Sequence, residues 1–212
     1  MSETKRAYSH LLYAPNLLTF SRVFIAIIFF IVIPPEENGA SAPLWYLIAL
    51  GTFLLGTATD WLDGYVARKY HLETALGRVA DPFVDKVLVC GGFIILAIYL
   101  KGGPYMDNPR GLVNIAPWMV VIVTAREFLI SALRGFAESM NIKFGANVWG
   151  KQKMVIQSFA ICAILAQHSL FYGYAAFAWF TTVLIWLAVV STILSGVLYI
   201  SRAKRVLKNE PA

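Results

Sequence analysis

Residues 57–87 read TATDWLDGYVARKYHLETALGRVADPFVDKV, and they place four aspartates between two strongly apolar segments. The chain around them has 212 residues, of which 58% are hydrophobic and only 14% are charged. A soluble domain has roughly 25% charged residues, and the mean hydropathy of this chain is +0.65. This length and composition predict a single domain, residues 1–212, that is embedded in a membrane.

Six segments are long and apolar enough to be membrane-spanning helices, which need about 20 mostly apolar residues. They are residues 16–34, 43–62, 79–100, 112–136, 148–167 and 174–201. Turn-rich stretches such as PPEENGASAP and KGGPYMDNPRG separate them. The sequence therefore predicts an all-α, polytopic membrane protein with six transmembrane helices. Leu11, Leu12 and Tyr13 follow two basic residues and predict a short interfacial helix within the N-terminal segment 1–15.

The distribution of basic residues predicts the orientation, because cytoplasmic loops of membrane proteins are enriched in Lys and Arg. If the N-terminus is cytoplasmic, the outer loops hold only Lys101 and Arg110, and sixteen of the eighteen basic residues lie towards the cytoplasm. Topology thus accounts for the net charge of +6, and no nucleic-acid partner is expected. We expect a multi-pass protein of a bacterial inner (plasma) membrane, with both termini and the aspartate-rich stretch facing the cytoplasm. A mitochondrial or plastid membrane is the alternative.

The four aspartates fall on two helical stripes. Because a helix turns about 100° per residue, Asp60 and Asp63 are about 60° apart on the predicted second helix. Residues 69–76 form the predicted turn to the third helix. Two antiparallel helices can thus direct four carboxylates to one place. The first stripe is Asp60, Asp63, Gly64 and Ala67, and the second is Gly77, Asp81 and Asp85.

Four carboxylates cannot all stay ionised near lipid unless cations accompany them. Carboxylate oxygens select hard cations such as Mg²⁺, Mn²⁺ or Ca²⁺, and two such ions about 4 Å apart are a recurring device for phosphoryl transfer. Gly64, Ala67 and Gly77 would let a bulky, charged substrate approach the backbone, and Arg68 can reach a phosphate. Two other interpretations stay open here. The acids could be a structural cluster neutralised by nearby basic residues, or part of an ion transporter, although no second acidic cluster continues outward.

The complete pattern is Asp60-x2-Asp63-Gly64-x2-Ala67-Arg68-x8-Gly77-x3-Asp81-x3-Asp85, and it resembles the signature of the CDP-alcohol phosphatidyltransferase family at all eight positions. The resemblance implies six transmembrane helices, cytoplasmic termini, a homodimer and two divalent ions, Mg²⁺ or Mn²⁺. Asp60, Asp63 and Asp81 would hold one ion, and Asp60, Asp81 and Asp85 would share the second. Asp85 would also be the catalytic general base on the acceptor hydroxyl. The residues that would line the cytidine diphosphate site are Gly64, Ala67, Arg68 and Gly77.

Three further blocks resemble the family members whose acceptor is sn-glycerol 3-phosphate. They are PNLLTFSR (15–22), REFLISALR (126–134) and GKQKM (150–154), the last with Met154 where that block usually has Thr. The resemblance implies transfer of the phosphatidyl group from CDP-diacylglycerol to sn-glycerol 3-phosphate, with phosphatidylglycerophosphate and CMP as products. An inositol phosphate or serine is the alternative acceptor. In the first block, Asn16 and Thr19 either hydrogen-bond the donor nucleotide or cap the helix.

The acceptor carries a dianionic phosphate, so its pocket needs cations. The candidates on the inner half of the fourth span and the start of the fifth are Arg126, Arg134, Lys151 and Lys153. Lys151 and Lys153 would be about 200° apart on a helix and should not both reach one phosphate. Arg126 is the deepest of the four, and it either binds the acceptor phosphate or pairs with Glu127 or Glu138.

Overall fold

The computed structural model describes the backbone of residues 14–33, 42–70, 75–100, 115–140 and 148–209. Side chains are described for residues 21–33, 43–59, 83–84, 86–100, 115–137, 139–140 and 152–201. The predicted interfacial helix of residues 1–15 lies almost wholly outside these ranges. Within them the chain forms six α-helices, so the all-α prediction is confirmed. The helices are α1 (Ala14–Val32), α2 (Ala42–Tyr70), α3 (Ala75–Tyr99), α4 (Pro117–Ser139), α5 (Val148–Ser169) and α6 (Ala175–Asn209).

Each helix falls on a predicted segment, but several extend beyond its apolar part. The predicted turn at 69–76 is wrong at both ends, because α2 runs to Tyr70 and α3 begins at Ala75. Helix continuation depends on backbone propensity as well as on hydrophobicity, and residues 65–70 contain no Gly or Pro that would end a helix. For the same reason α6 continues to Asn209 through basic residues that favour helix. α1 begins at Ala14, so Asn16 lies inside its first turn rather than at its N-cap.

The six helices differ in length. They contain from 19 to 35 residues, and at 1.5 Å per residue they are roughly 30 to 50 Å long. By length and hydropathy together, one described helix could cross a membrane, namely Ala175–Ser201 with 27 residues. Within the ranges whose side chains are described, Ser21–Val32, Pro43–Thr59 and Lys86–Tyr99 are further apolar helical stretches. The six-span topology stays a prediction.

The buried core draws apolar side chains from all six helices. α1 packs on α2 and α3, α5 packs on α2, α3 and α6, and α4 packs on α3 and α6. Phe29 of α1 packs against Phe53 of α2 with ring centroids 5.4 Å apart and the rings tilted by 49°, and both are fully buried. Large apolar side chains also cover the outer faces of the helices, among them Phe24, Ile31 and Trp179. Apolar surface on this scale suits a lipid environment better than water.

Candidate active site

All four aspartates of the predicted metal site lie on helices. Asp60 and Asp63 are in the last third of α2, and Asp81 and Asp85 are in the first half of α3. Their side chains lie outside the described residues, so the roles assigned to them stay predictions. The same holds for the predicted donor-site residues, which are also all helical: Asn16, Thr19, Gly64, Ala67, Arg68 and Gly77.

A described contact between α2 and α3 lies one turn from these aspartates. A Cβ atom on Gly56 of α2 would lie 2.9 Å from Cδ2 of Leu88 of α3 and 3.4 Å from Cγ2 of Ile25 of α1. The two aspartates of α2 follow Gly56 by four and seven residues, and the two of α3 precede Leu88 by seven and three. At these spacings a helix returns to the same face. Both acidic stripes therefore start from a point where α2 and α3 touch.

The residues of the two stripes fit hard divalent ions. They offer four carboxylates from two touching helices, and carboxylate oxygen is the ligand that Mg²⁺ and Mn²⁺ prefer. Elsewhere, among the residues that the structure describes, no group of three or more His, Cys, Asp or Glu side chains could hold a metal ion. The motif's aspartates stay the predicted ligands.

An apolar cavity of about 400 Å³ adjoins the acidic stripes between α1, α2, α3 and α5. Thr57, one turn before Asp60, and Val84, directly before Asp85, line it together with Leu54, Leu88 and Phe159. The buried Arg22 of α1 also contributes to its wall. A cavity of this kind, next to predicted metal ligands, suits a molecule that combines hydrocarbon with a charged headgroup.

Two of the four predicted acceptor residues meet at a single carboxylate. Nη1 of Arg126 donates a hydrogen bond to Oε1 of Glu127 at 3.2 Å, and Nζ of Lys153 forms an ion pair with the same oxygen. The side chains of Arg126, Glu127 and Lys153 are only 11%, 12% and 6% exposed. Of the two interpretations of Arg126, pairing with a carboxylate is observed, with Glu127 as the partner, and binding of an acceptor phosphate stays a prediction.

The other two predicted acceptor residues are placed differently. Arg134 lies two turns after Arg126 on α4 and is exposed, although the two guanidinium groups are within electrostatic range of each other. Lys151 belongs to α5, but its side chain is outside the described residues, as is that of Glu138. The structure therefore brings together Arg126 and Lys153 and leaves Arg134 on the surface.

Sequence reasoning missed several residues that shape this region. The sequence predicts Glu127 only as a possible partner of Arg126. Its contact with Lys153 is not predictable, because helical periodicity does not relate residues of α4 to residues of α5. Lys86 of α3 also lies within electrostatic range of Lys153. The position of Gly56 was recognisable from the sequence, since this small residue lies one turn before Asp60 on the same helix stripe. Arg22 carried none, because a basic residue near a helix end is ordinary positive-inside patterning.

Comparison with known proteins supports the same chemistry. A sequence profile described as CDP-alcohol phosphatidyltransferase matches residues 12–194. The chain belongs to the CDP-alcohol phosphatidyltransferase family. It is therefore an enzyme with CDP-alcohol phosphatidyltransferase activity, from a membrane-embedded family that uses divalent metal ions, with CDP-diacylglycerol as the donor. This membership removes the ion-transporter interpretation of the chain, and the roles of the individual aspartates stay predictions.

Individual relatives carry more specific names. A CDP-diacylglycerol–glycerol-3-phosphate 3-phosphatidyltransferase of Bacillus subtilis (strain 168) is 33% identical over 202 residues, which cover 92% of this chain and 96% of that protein. A protein of the same name from Rickettsia bellii is 32% identical, with 90% of this chain and 95% of that protein covered. A cardiolipin synthase (CMP-forming) of Oryza sativa subsp. japonica is 31% identical over 74% of this chain and 47% of its own length. Identity at this level therefore does not choose the acceptor.

Proposed function

We propose that this enzyme transfers the phosphatidyl group from CDP-diacylglycerol to sn-glycerol 3-phosphate, so that phosphatidylglycerophosphate and CMP are formed. The observation that carries the acceptor assignment is the buried cluster of Arg126 and Lys153 around Glu127. The names of the Bacillus and Rickettsia relatives support the same acceptor.

The charge of this cluster favours an acceptor that carries a phosphate. Among the residues whose side chains the structure describes, the single carboxylate of Glu127 contacts both cations, Arg126 and Lys153. A buried excess of positive charge is costly unless an anion offsets it. Serine, a zwitterion whose ammonium group the cluster would repel, fits poorly. An inositol phosphate carries the same dianionic group as glycerol 3-phosphate and is the second candidate acceptor.

In the proposed reaction, the acceptor hydroxyl oxygen attacks the phosphorus that bears diacylglycerol, and the bond from this phosphorus to the CMP oxygen breaks. Asp85 accepts the hydroxyl proton as the new bond forms, and Arg68 pairs with the donor diphosphate. Asp60, Asp63, Asp81 and Asp85 would hold two divalent ions, Mg²⁺ or Mn²⁺, whose charge offsets that of the diphosphate.

The surroundings of the aspartates support a lipid donor and a soluble acceptor at one site. The apolar cavity reaches Thr57 and Val84, next to the acidic stripes, and offers space for hydrocarbon of the donor. The cationic cluster lies on α4 and α5 instead. We place this site at the cytoplasmic face of a bacterial inner membrane, in a homodimer of six-span subunits whose termini are both cytoplasmic.

The acceptor is tested by supplying the purified protein with CDP-diacylglycerol, Mg²⁺ and one of three acceptors, namely glycerol 3-phosphate, inositol 1-phosphate or serine. Release of CMP and the lipid product are both measured. We expect phosphatidylglycerophosphate with glycerol 3-phosphate and little turnover with the other two. CMP release only with inositol 1-phosphate or only with serine would replace the proposed acceptor.

A further inference from the structure

Glu127 has a role that the reaction chemistry does not require. One of its carboxylate oxygens, Oε1, contacts both Arg126 and Lys153. Arg126 precedes Glu127 on α4, and Lys153 belongs to α5. Within the described residues, α4 and α5 make no extensive contact of their own. The carboxylate therefore bridges two helices that otherwise pack on other neighbours, α4 on α3 and α6, and α5 on α2, α3 and α6.

Arg126 is held from two sides. Neighbouring side chains on a helix point about 100° apart, so the contact between Arg126 and Glu127 requires both side chains to turn into the same crevice. On the other side, the stem of Arg126 packs against α6, where a Cβ atom on Gly196 would lie 3.3 Å from Cγ of Arg126. Nε of Arg126 is buried and has no hydrogen-bond partner among the described residues. The guanidinium is thus positioned, yet it retains donor capacity.

Lys153 depends on Glu127 in the same way. Its side chain is 6% exposed, and an ammonium group this deep needs a counter-ion close by. The positive charges of Arg126 and Lys86 both act on Lys153, and they repel its ammonium group. Removal of the Glu127 carboxylate would leave two adjacent buried cations free to separate, because nothing else described draws them together.

We propose that Glu127 is a positioning residue for the acceptor: it holds Arg126 and Lys153 together between α4 and α5, so that both cations can meet one phosphate. This inference rests on the proposed function. Glu127 itself makes or breaks no bond and repels the phosphate, so it acts only through its two neighbours. If the ion pair were purely structural, it would only hold α4 and α5 together. Its removal would then change the KM values for both substrates equally.

The decisive variant is Glu127→Gln, which keeps the shape of the side chain and removes its charge. We expect the KM for glycerol 3-phosphate to rise by about tenfold or more. The reason is that Arg126 and Lys153 each lose the charged contact with Glu127 that positions them. The KM for CDP-diacylglycerol should stay within about twofold of the wild type. An equal rise for both substrates, or an unchanged acceptor KM, would overturn the proposal.

The matched control is Gln157→Leu. Gln157 lies one turn beyond Lys153 on α5 and donates a buried hydrogen bond of 2.9 Å to Thr192 of α6, so it too joins two helices through a polar contact. We expect this variant to lower the melting temperature without separating the two KM values. If it produces the same selective rise in the acceptor KM, the effect of Glu127→Gln is structural and the proposal fails.

Glu127→Asp decides the matter if Glu127→Gln does not fold. Aspartate keeps the charge but is one methylene shorter, so it should hold the cations less well and give an intermediate, still selective rise in the acceptor KM. An unselective or absent effect in this variant counts against the proposal.

The wild-type assay separates this inference from the proposed function. If the wild type uses inositol 1-phosphate instead of glycerol 3-phosphate, the proposed acceptor is wrong, and the variants are measured with inositol 1-phosphate. A selective rise in its KM then supports the positioning role alone. If the wild type uses glycerol 3-phosphate and Glu127→Gln affects both substrates equally, only the positioning role fails.

Discussion

Gly56 of α2 lies so close to Leu88 of α3 that a Cβ atom at position 56 would stand 2.9 Å from the Leu88 side chain. This contact lies between the two helices that carry the aspartates. It lies one turn from Asp60 on one helix and one turn from Asp85 on the other. A side chain at position 56 would therefore require Leu88 to shift next to the predicted metal site.

Gly56→Val should reduce activity by pushing α2 and α3 apart. Overpacking of this kind costs roughly 1–3 kcal/mol of stability, and we expect kcat to fall by about tenfold or more because small displacements of catalytic groups are costly. Turnover and the melting temperature are measured together. The control is Gly51→Val on the same helix, where a Cβ atom would meet nothing within 4 Å. Equal activity in the two variants would contradict the prediction.

Asp85→Asn should abolish most CMP release and leave much of the CDP-diacylglycerol binding intact. A general base contributes about 10²–10⁴-fold to the rate, and the amide cannot accept the acceptor proton. Single-turnover CMP release and donor binding are the two measurements. Asp107→Asn, in a predicted outer loop, is the matched control. Turnover like that of the wild type in Asp85→Asn would remove the assignment of the base.

Chelation should reversibly remove activity. The four aspartates of the motif are the candidate ligands, and hard divalent ions suit their oxygens. We expect EDTA to stop CMP release and added Mg²⁺ or Mn²⁺ to restore it, with Asp60→Ala requiring a higher metal concentration for half-maximal rate. Full activity in metal-free buffer would contradict the two-ion proposal.

Arg126→Ala should raise the KM for the acceptor more than that for the donor. Arg126 is buried beside Lys153 and Glu127, and loss of a buried charged contact costs about 1.5–3 kcal/mol, or roughly 10- to 100-fold in KM. Arg134→Ala serves as the comparison, since the Arg134 side chain is exposed and lies outside the buried contact of Arg126, Glu127 and Lys153. Its effect should be several times smaller. An equal loss for both substrates in Arg126→Ala would assign Arg126 a structural role.

Cys162→Trp should weaken donor binding. Cys162 lines the apolar cavity of about 400 Å³, and the indole would occupy much of the space proposed for donor hydrocarbon. We expect the KM for CDP-diacylglycerol to rise while that for glycerol 3-phosphate stays unchanged. Ala176→Trp, at an exposed position of α6, controls for the added aromatic group. A donor KM equal to that of the wild type would show that the cavity lies outside the donor path.

Local patterns predicted the helices and the acidic stripes well, because both depend on residues close together in sequence. Apolar runs located six helices, and spacing placed Asp60 and Asp63 on one helix and Asp81 and Asp85 on another. The ends of α2 and α3 were misplaced, since the polar residues between the apolar runs are also good helix formers. The eight-position pattern led to the family, which the sequence profile confirms.

The sequence by itself determined the class of chemistry, because the carboxylates that define it lie at fixed helical spacing within residues 57–87. Only the tertiary structure decided how the cations are arranged. Arg126 and Lys153 belong to different helices, and their meeting at Glu127 depends on how α4 and α5 pack against α3 and α6. Helical periodicity relates residues a few turns apart and says nothing about which helices become neighbours. Packing between distant segments supplies that information.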